Sequence, residues 1–164
     1  MTVTLYLLEA KNYFKGLLAL AKRQSADNLV IWLTLTRPFV QLRDALDFAG
    51  IPPKRIFFID ASSGPVPRGA QPTENCIFIE SPQDIVGMTI AISETLSLTH
   101  GKRVLLVDSL NTLLAFQSSD IVEQFTNVLA NKARTLGIDV AFLASDVGSK
   151  KLGSIEALVD EVKE

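Results

Sequence analysis

Short apolar runs alternate with longer amphipathic segments from one end of the chain to the other. Val3 to Leu8 predicts a first strand and Tyr13 to Arg23 a helix. Leu29 to Leu35 is apolar at nearly every position, the pattern of a strand covered on both faces. The next helix is predicted to open near Thr36-Arg37-Pro38, with proline in the first turn, where its missing N–H costs nothing. Phe39, Leu42, Leu46 and Ala49 then fall on one helical stripe. Gly50 ends that helix, and Pro52-Pro53 forbids its continuation.

Arg55 to Asp60 reads as a third strand, followed by a Gly/Pro-rich loop over residues 61–75 without periodicity. Cys76 to Ile79 predicts a short strand, and Ser81-Pro82 an N-cap and first position of a helix reaching Thr99. His100-Gly101 supplies a basic last turn and a left-handed stop. Val104 to Val107 is the most strand-like run. A helix over Asp120 to Leu136, burying Ile121, Phe125, Val128 and Leu129, leads to a strand at Val140 to Ala144. The tail, Leu152 to Glu164, fits either a helix or a short helix followed by a strand at Leu158 to Val162.

Strands alternating with helices of this length imply βαβ crossovers and a mainly parallel sheet between two helical layers, a three-layer αβα sandwich. No repeat or linker divides the chain, so residues 1–164 read as one domain. Ligands in such sheets sit beyond the carboxyl ends of the strands. The candidate residues are therefore Glu9, Thr36-Arg37, Asp60, Glu80, Asp108-Ser109 and Ser145-Asp146.

Composition narrows the partners. A length of 164 residues, 48% of them hydrophobic and 21% charged, suffices for a full globular core. A net charge of −2, with no Lys/Arg run longer than two, argues against nucleic acid and membrane surfaces as partners. The apolar stretches are too short to span a bilayer, and the N-terminus has no secretory pattern. Cys76 is the one cysteine and lies in an apolar run; a buried, unpaired thiol fits the cytoplasm. The one histidine, His100, reads as a helix-ending residue rather than a catalyst.

The run Arg103-Val104-Leu105-Leu106-Val107-Asp108-Ser109-Leu110-Asn111-Thr112-Leu113-Leu114 resembles the Walker B strand of RecA/KaiC-type ATPases. The Gln41-Leu42-Arg43 segment, the Gly50-Ile51 pair and the tail Leu158-Val159-Asp160-Glu161-Val162 follow in the family's order. The resemblance spans nearly the whole chain and implies a RecA-like core. It also implies a Walker A loop, G-x-x-x-x-G-K-[ST], whose amides cradle phosphate and whose hydroxyl holds Mg²⁺. Laid over this chain, those eight positions are Glu9-Ala10-Lys11-Asn12-Tyr13-Phe14-Lys15-Gly16, of which only Lys15 matches. The acidic residue expected after the second strand is also missing, because that place reads Thr36-Arg37-Pro38. Arginine stays protonated and cannot act as a base.

The resemblance thus implies two leading functions, beside a DNA-linked RecA paralogue that the near-neutral charge and missing basic patch disfavour. The first is a non-catalytic binding, scaffold or regulatory subunit working through homo- or hetero-oligomeric assembly with protein partners, with no cofactor. The alternative is a nucleotide sensor or weak ATPase for ATP and Mg²⁺, using Lys15, Thr36, Arg37, Asp108 and Ser109, with Asp108 as metal ligand. Set against that alternative, Asp108 reads as a polar strand end capping the next turn and Lys15 as a surface lysine. An acidic metal pocket of Glu9, Asp60, Glu80 and Asp108 is set against carboxylates merely surfacing at strand ends. The small loops Ser62-Ser63-Gly64 and Val147-Gly148-Ser149-Lys150-Lys151 read equally as anion sites or turns, and Trp32 and the phenylalanines as core.

Overall fold

The structure is a computed structural model and describes residues 1–65, 75–147 and 149–164. Most of the predicted 61–75 loop, and Gly148 of the predicted small loop, lie outside these residues. Seven strands form one sheet, in chain order β1 (Val3–Leu8), β2 (Leu29–Thr34), β3 (Ile56–Asp60), β4 (Cys76–Phe78), β5 (Arg103–Asp108), β6 (Asp139–Ser145) and β7 (Glu161–Lys163). Their spatial order is β4-β3-β2-β5-β6-β1-β7, and every neighbouring pair is parallel. The helices are α1 (Tyr13–Asp27), α2 (Phe39–Phe48), α3 (Ile85–Leu98), α4 (Leu110–Phe116), α5 (Ser119–Leu136) and α6 (Gly153–Glu156). None among the described residues is long and apolar enough to cross a membrane.

The continuous apolar run of β2 follows from its position. Ile31 and Leu33 belong to the cluster under α3, α4, α5 and α6, while Val30 and Trp32 belong to the cluster under α1 and α2. A parallel strand with helices on both sheet faces has no polar face to show. Trp32, fully buried, packs its ring 5.5 Å from Phe58, and Phe39 meets Phe58 edge-on at 5.1 Å. These contacts hold α2 over β2 and β3, and so fix where the β2–α2 turn can stand.

Several element ends differ from the sequence expectation, each for a local reason. Pro38 does not sit in the first turn of α2; it is the extended residue before Phe39, whose amide bonds Asp60 instead. Ala49 lies beyond the helix and is exposed, so the buried stripe is Phe39, Leu42 and Leu46. Helix α3 starts at Ile85 rather than at Pro82, because Asp84 accepts the Gly87 amide at 2.8 Å, while the Ser81 hydroxyl accepts the Gln83 amide in a preceding turn. Gly101 takes the expected left-handed conformation, but the last carbonyls of α3 are met by the Arg103 guanidinium, bonded to Leu96 and Thr99. His100 is exposed there.

On α5 the buried face is Val122, Phe125, Thr126, Leu129, Ala130 and Ala133, whereas Ile121 and Val128 are exposed. The expected stripe was rotated by about one residue, or ~100° of helix. Helix α4 goes beyond the expected strand-to-turn passage. In the tail, the short helix followed by a strand is what forms, with the strand at Glu161–Lys163.

Candidate functional site

The sheet order places a switch point between β2 and β5. The chain leaves β2 for α2 on one face and leaves β5 for α4 and α5 on the other. The crevice beyond their carboxyl ends is where doubly wound sheets bind ligands. Thr34, Thr36 and Asp108 converge there, with Thr34 across from Asp108 in the β2–β5 register and the Leu35 amide bonded to the Asp108 carbonyl at 2.7 Å.

Asp108 is fully buried. The Tyr13 hydroxyl donates to one carboxylate oxygen at 2.5 Å, and the Thr36 hydroxyl donates to the other at 2.8 Å. Burial pushes the Asp108 carboxyl above its ordinary range, against the lowering effect of those two bonds and of the Arg37 charge. Burial and the neighbouring carboxylate push the Tyr13 phenol up, so Tyr13 is the proton donor of the pair. Asp108 does not cap the following turn. Ser109 does, accepting the Thr112 amide at 3.3 Å at the start of α4. The Asp108–Ser109 peptide bond is cis.

The turn between β1 and α1 is equally closed. Helix α1 begins at Tyr13, directly after a short 3₁₀ turn over Ala10–Asn12. The Ala10 amide donates to the Asp146 carboxylate at 2.9 Å, and the Asn12 amide donates to the Glu9 carbonyl at 3.0 Å. The Asn12 side chain donates to the Glu9 carboxylate. Lys15 stands in the first turn of α1 and is exposed; at ~100° per residue it points away from the side that carries Tyr13. Arg37 lays its guanidinium 3.9 Å from the centre of the Phe14 ring, a contact that joins the β2–α2 turn to α1.

Of the five residues expected to bind nucleotide, the structure brings Asp108, Thr36 and Ser109 together, sets Arg37 beside them on Phe14, and leaves Lys15 outside. Tyr13 was missed: it was read only as the start of the first helix and as a non-matching position of the Walker A overlay. Its position at the first residue of a helix that follows a strand was the available signal.

Asp60 forms a separate, self-contained knot. Its carboxylate accepts the amides of Phe39, Ser62 and Ser63 and both serine hydroxyls, so the Ser62-Ser63 turn wraps an internal anion. Among the described residues no three His, Cys, Asp or Glu side chains gather as a metal site. Glu9 and Glu80 are exposed, whereas Asp60 and Asp108 are buried, each within its own set of hydrogen bonds. Cys76 is buried, and its thiol is pushed up to about 12 by burial and by the Asp60 charge, which leaves it unreactive.

An all-parallel, three-layer α/β sheet with this order is a RecA/KaiC-like fold, and solved structures agree. The KaiC-like protein PH0186 of Pyrococcus horikoshii OT3 is similar with a TM-score of 0.69 and 12% identity, over 98% of this chain and 69% of its own. The uncharacterized protein PH0321 of Pyrococcus horikoshii, solved in complex with an unknown peptide, is similar with a TM-score of 0.63 and 16% identity, over 98% of this chain and 75% of its own. No family model and no curated protein matches the chain.

Proposed function

We propose that this chain is a non-catalytic RecA/KaiC-like domain that acts as a binding, scaffold or regulatory subunit through assembly with protein partners in the cytoplasm. The observation that carries this reading is the state of Asp108, the carboxylate at the position resembling Walker B. It is buried, and both its oxygens are held by side-chain hydroxyls of the same chain. A Mg²⁺ site needs a carboxylate open to the ion and to its remaining waters.

The phosphate side supports the same reading. A phosphate cradle needs free amide donors, and here the Ala10 amide serves the Asp146 carboxylate and the Asn12 amide serves Glu9. A carboxylate of the protein stands where a phosphate would need to approach. These residues do not fit an ATP–Mg²⁺ complex. PH0321, which shares the fold, was solved in complex with an unknown peptide.

Thermal unfolding with and without millimolar Mg-ATP, at several protein concentrations, tests the proposal. A ligand that binds only the folded state raises the midpoint. The expected result is a midpoint unmoved by nucleotide and rising with protein concentration or with a bound partner. A nucleotide-dependent rise, or ATP turnover abolished by Asp108→Ala, would establish the sensor or ATPase reading instead.

A further inference from the structure

The β7 edge of the sheet carries a surface that complements itself. Thr2, just before β1, and Leu8, at its end, turn their carbonyls to the β6 side and Val3 turns its amide and carbonyl to Asp160, so Val3, Leu5 and Leu7 face β7. Leu5 lies across from Val162. In a parallel pair its N–H and C=O therefore bond the residues on either side of Val162, and the N–H and C=O of Val162 itself point to the open edge. All three residues of β7 are exposed, with Val162 at 44%. Free edge groups are a template for another strand.

We propose that this edge pairs antiparallel with β7 of a second copy, about a two-fold axis through Val162, giving one sheet across both protomers. The proposal rests on the assembly reading and gives it a surface. In this register the two Val162 residues exchange both hydrogen bonds. Glu161 then faces Lys163 of the second copy, and Lys163 faces its Glu161. These flanking positions are the closely spaced, non-hydrogen-bonded pairs, where side chains approach most nearly.

Charge selects the register. Moving the axis one residue back sets Glu161 against Glu161, and moving it one residue on sets Lys163 against Lys163. Like charges directly opposite destabilise a strand pair. The Asp160 amide is already bonded to the Val3 carbonyl, so the shift towards Asp160 also lacks a free donor. Within one chain Lys163 and Glu161 are 3.0 Å apart on the same side of β7, beside Tyr6. The two-fold extends that pair into a ring of four alternating charges. An isologous contact of this kind closes on itself and makes a dimer rather than a fibre.

Sedimentation equilibrium of the full chain, run over a range of concentrations, reads the dimer directly. Lys163→Glu and Glu161→Lys each replace two facing attractions by two repulsions, and each is expected to raise the dissociation constant about fivefold or more. The double exchange Glu161→Lys/Lys163→Glu restores the alternation and is expected to return it to within about threefold of the original. Val162→Pro removes the edge N–H, a change tolerated where no ladder bond is made, and is expected to leave a folded monomer by circular dichroism. A wild-type chain that stays monomeric, or a dimer indifferent to both single reversals, overturns the edge proposal and leaves assembly with other partners standing. A rise in midpoint with Mg-ATP sinks the assembly reading itself, whatever the charge exchange shows.

Discussion

Tyr13→Phe isolates the contact on which the candidate site turns. The change keeps the ring and deletes the hydroxyl that donates to Asp108 at 2.5 Å, leaving one oxygen of a fully buried carboxylate without its donor. A hydrogen bond to a charged group contributes about 1.5–3 kcal/mol. For a chain of this size each kcal/mol moves the midpoint by about 2–4 °C, so a fall of about 3–12 °C is expected at a pH where the carboxylate is ionised.

The pH dependence carries the stronger test. Asp108 has a folded pKa above its unfolded value, so its favourable contribution is full below the ordinary aspartate range and is lost as pH rises through the raised value. Deleting the Tyr13 donor raises that value further and deepens the loss. Below about pH 4 the carboxyl is neutral in both proteins, and the gap should shrink to that of a neutral hydrogen bond, about 0.5–1.5 kcal/mol. Urea unfolding of the two proteins across pH 4 to 8 measures this gap, and the same pair in an Asp108→Asn background supplies the cycle. A gap under about 0.5 kcal/mol at neutral pH, or one that does not change with pH or in that background, would refute the reasoning.

Two further outcomes follow from other carboxylates. Asp60→Ala removes the acceptor of the Phe39, Ser62 and Ser63 amides, the first of them buried, and is expected to cost about 2–4 kcal/mol in urea unfolding, with a loss under 1 kcal/mol counting against its role. Asp160 accepts the Val3 amide and the Arg134 guanidinium, which hold its carboxyl below the ordinary range. The stability it brings is present above that range and is lost as pH falls, so between pH 5 and 3 the wild-type midpoint should drop more than that of Asp160→Asn. Parallel curves would refute the linkage.

The alternation of apolar runs with amphipathic segments dictated the parallel strands, most of the helices and their layering. Runs such as Leu29 to Leu35 and Val104 to Val107 are apolar because both faces of a parallel sheet are covered, and Gly50 and Gly101 mark helix ends because a left-handed residue was needed there. The same local logic marked Asp108, Thr36 and Arg37 as residues at carboxyl ends of strands. Tertiary structure decided what those residues meet. The Tyr13–Asp108 bond spans 95 residues and the Ala10–Asp146 bond spans 136, distances over which no local pattern speaks. The rotation of α5 was likewise set by packing: Ile121 and Val128 satisfy the helical period, yet the sheet and α6 lie on the side of Val122 and Ala130. In the tail, sequence allowed two forms. The strand won because Asp160 could tie its carboxylate to the Val3 amide and Arg134, bringing Val162 into register beside Leu5.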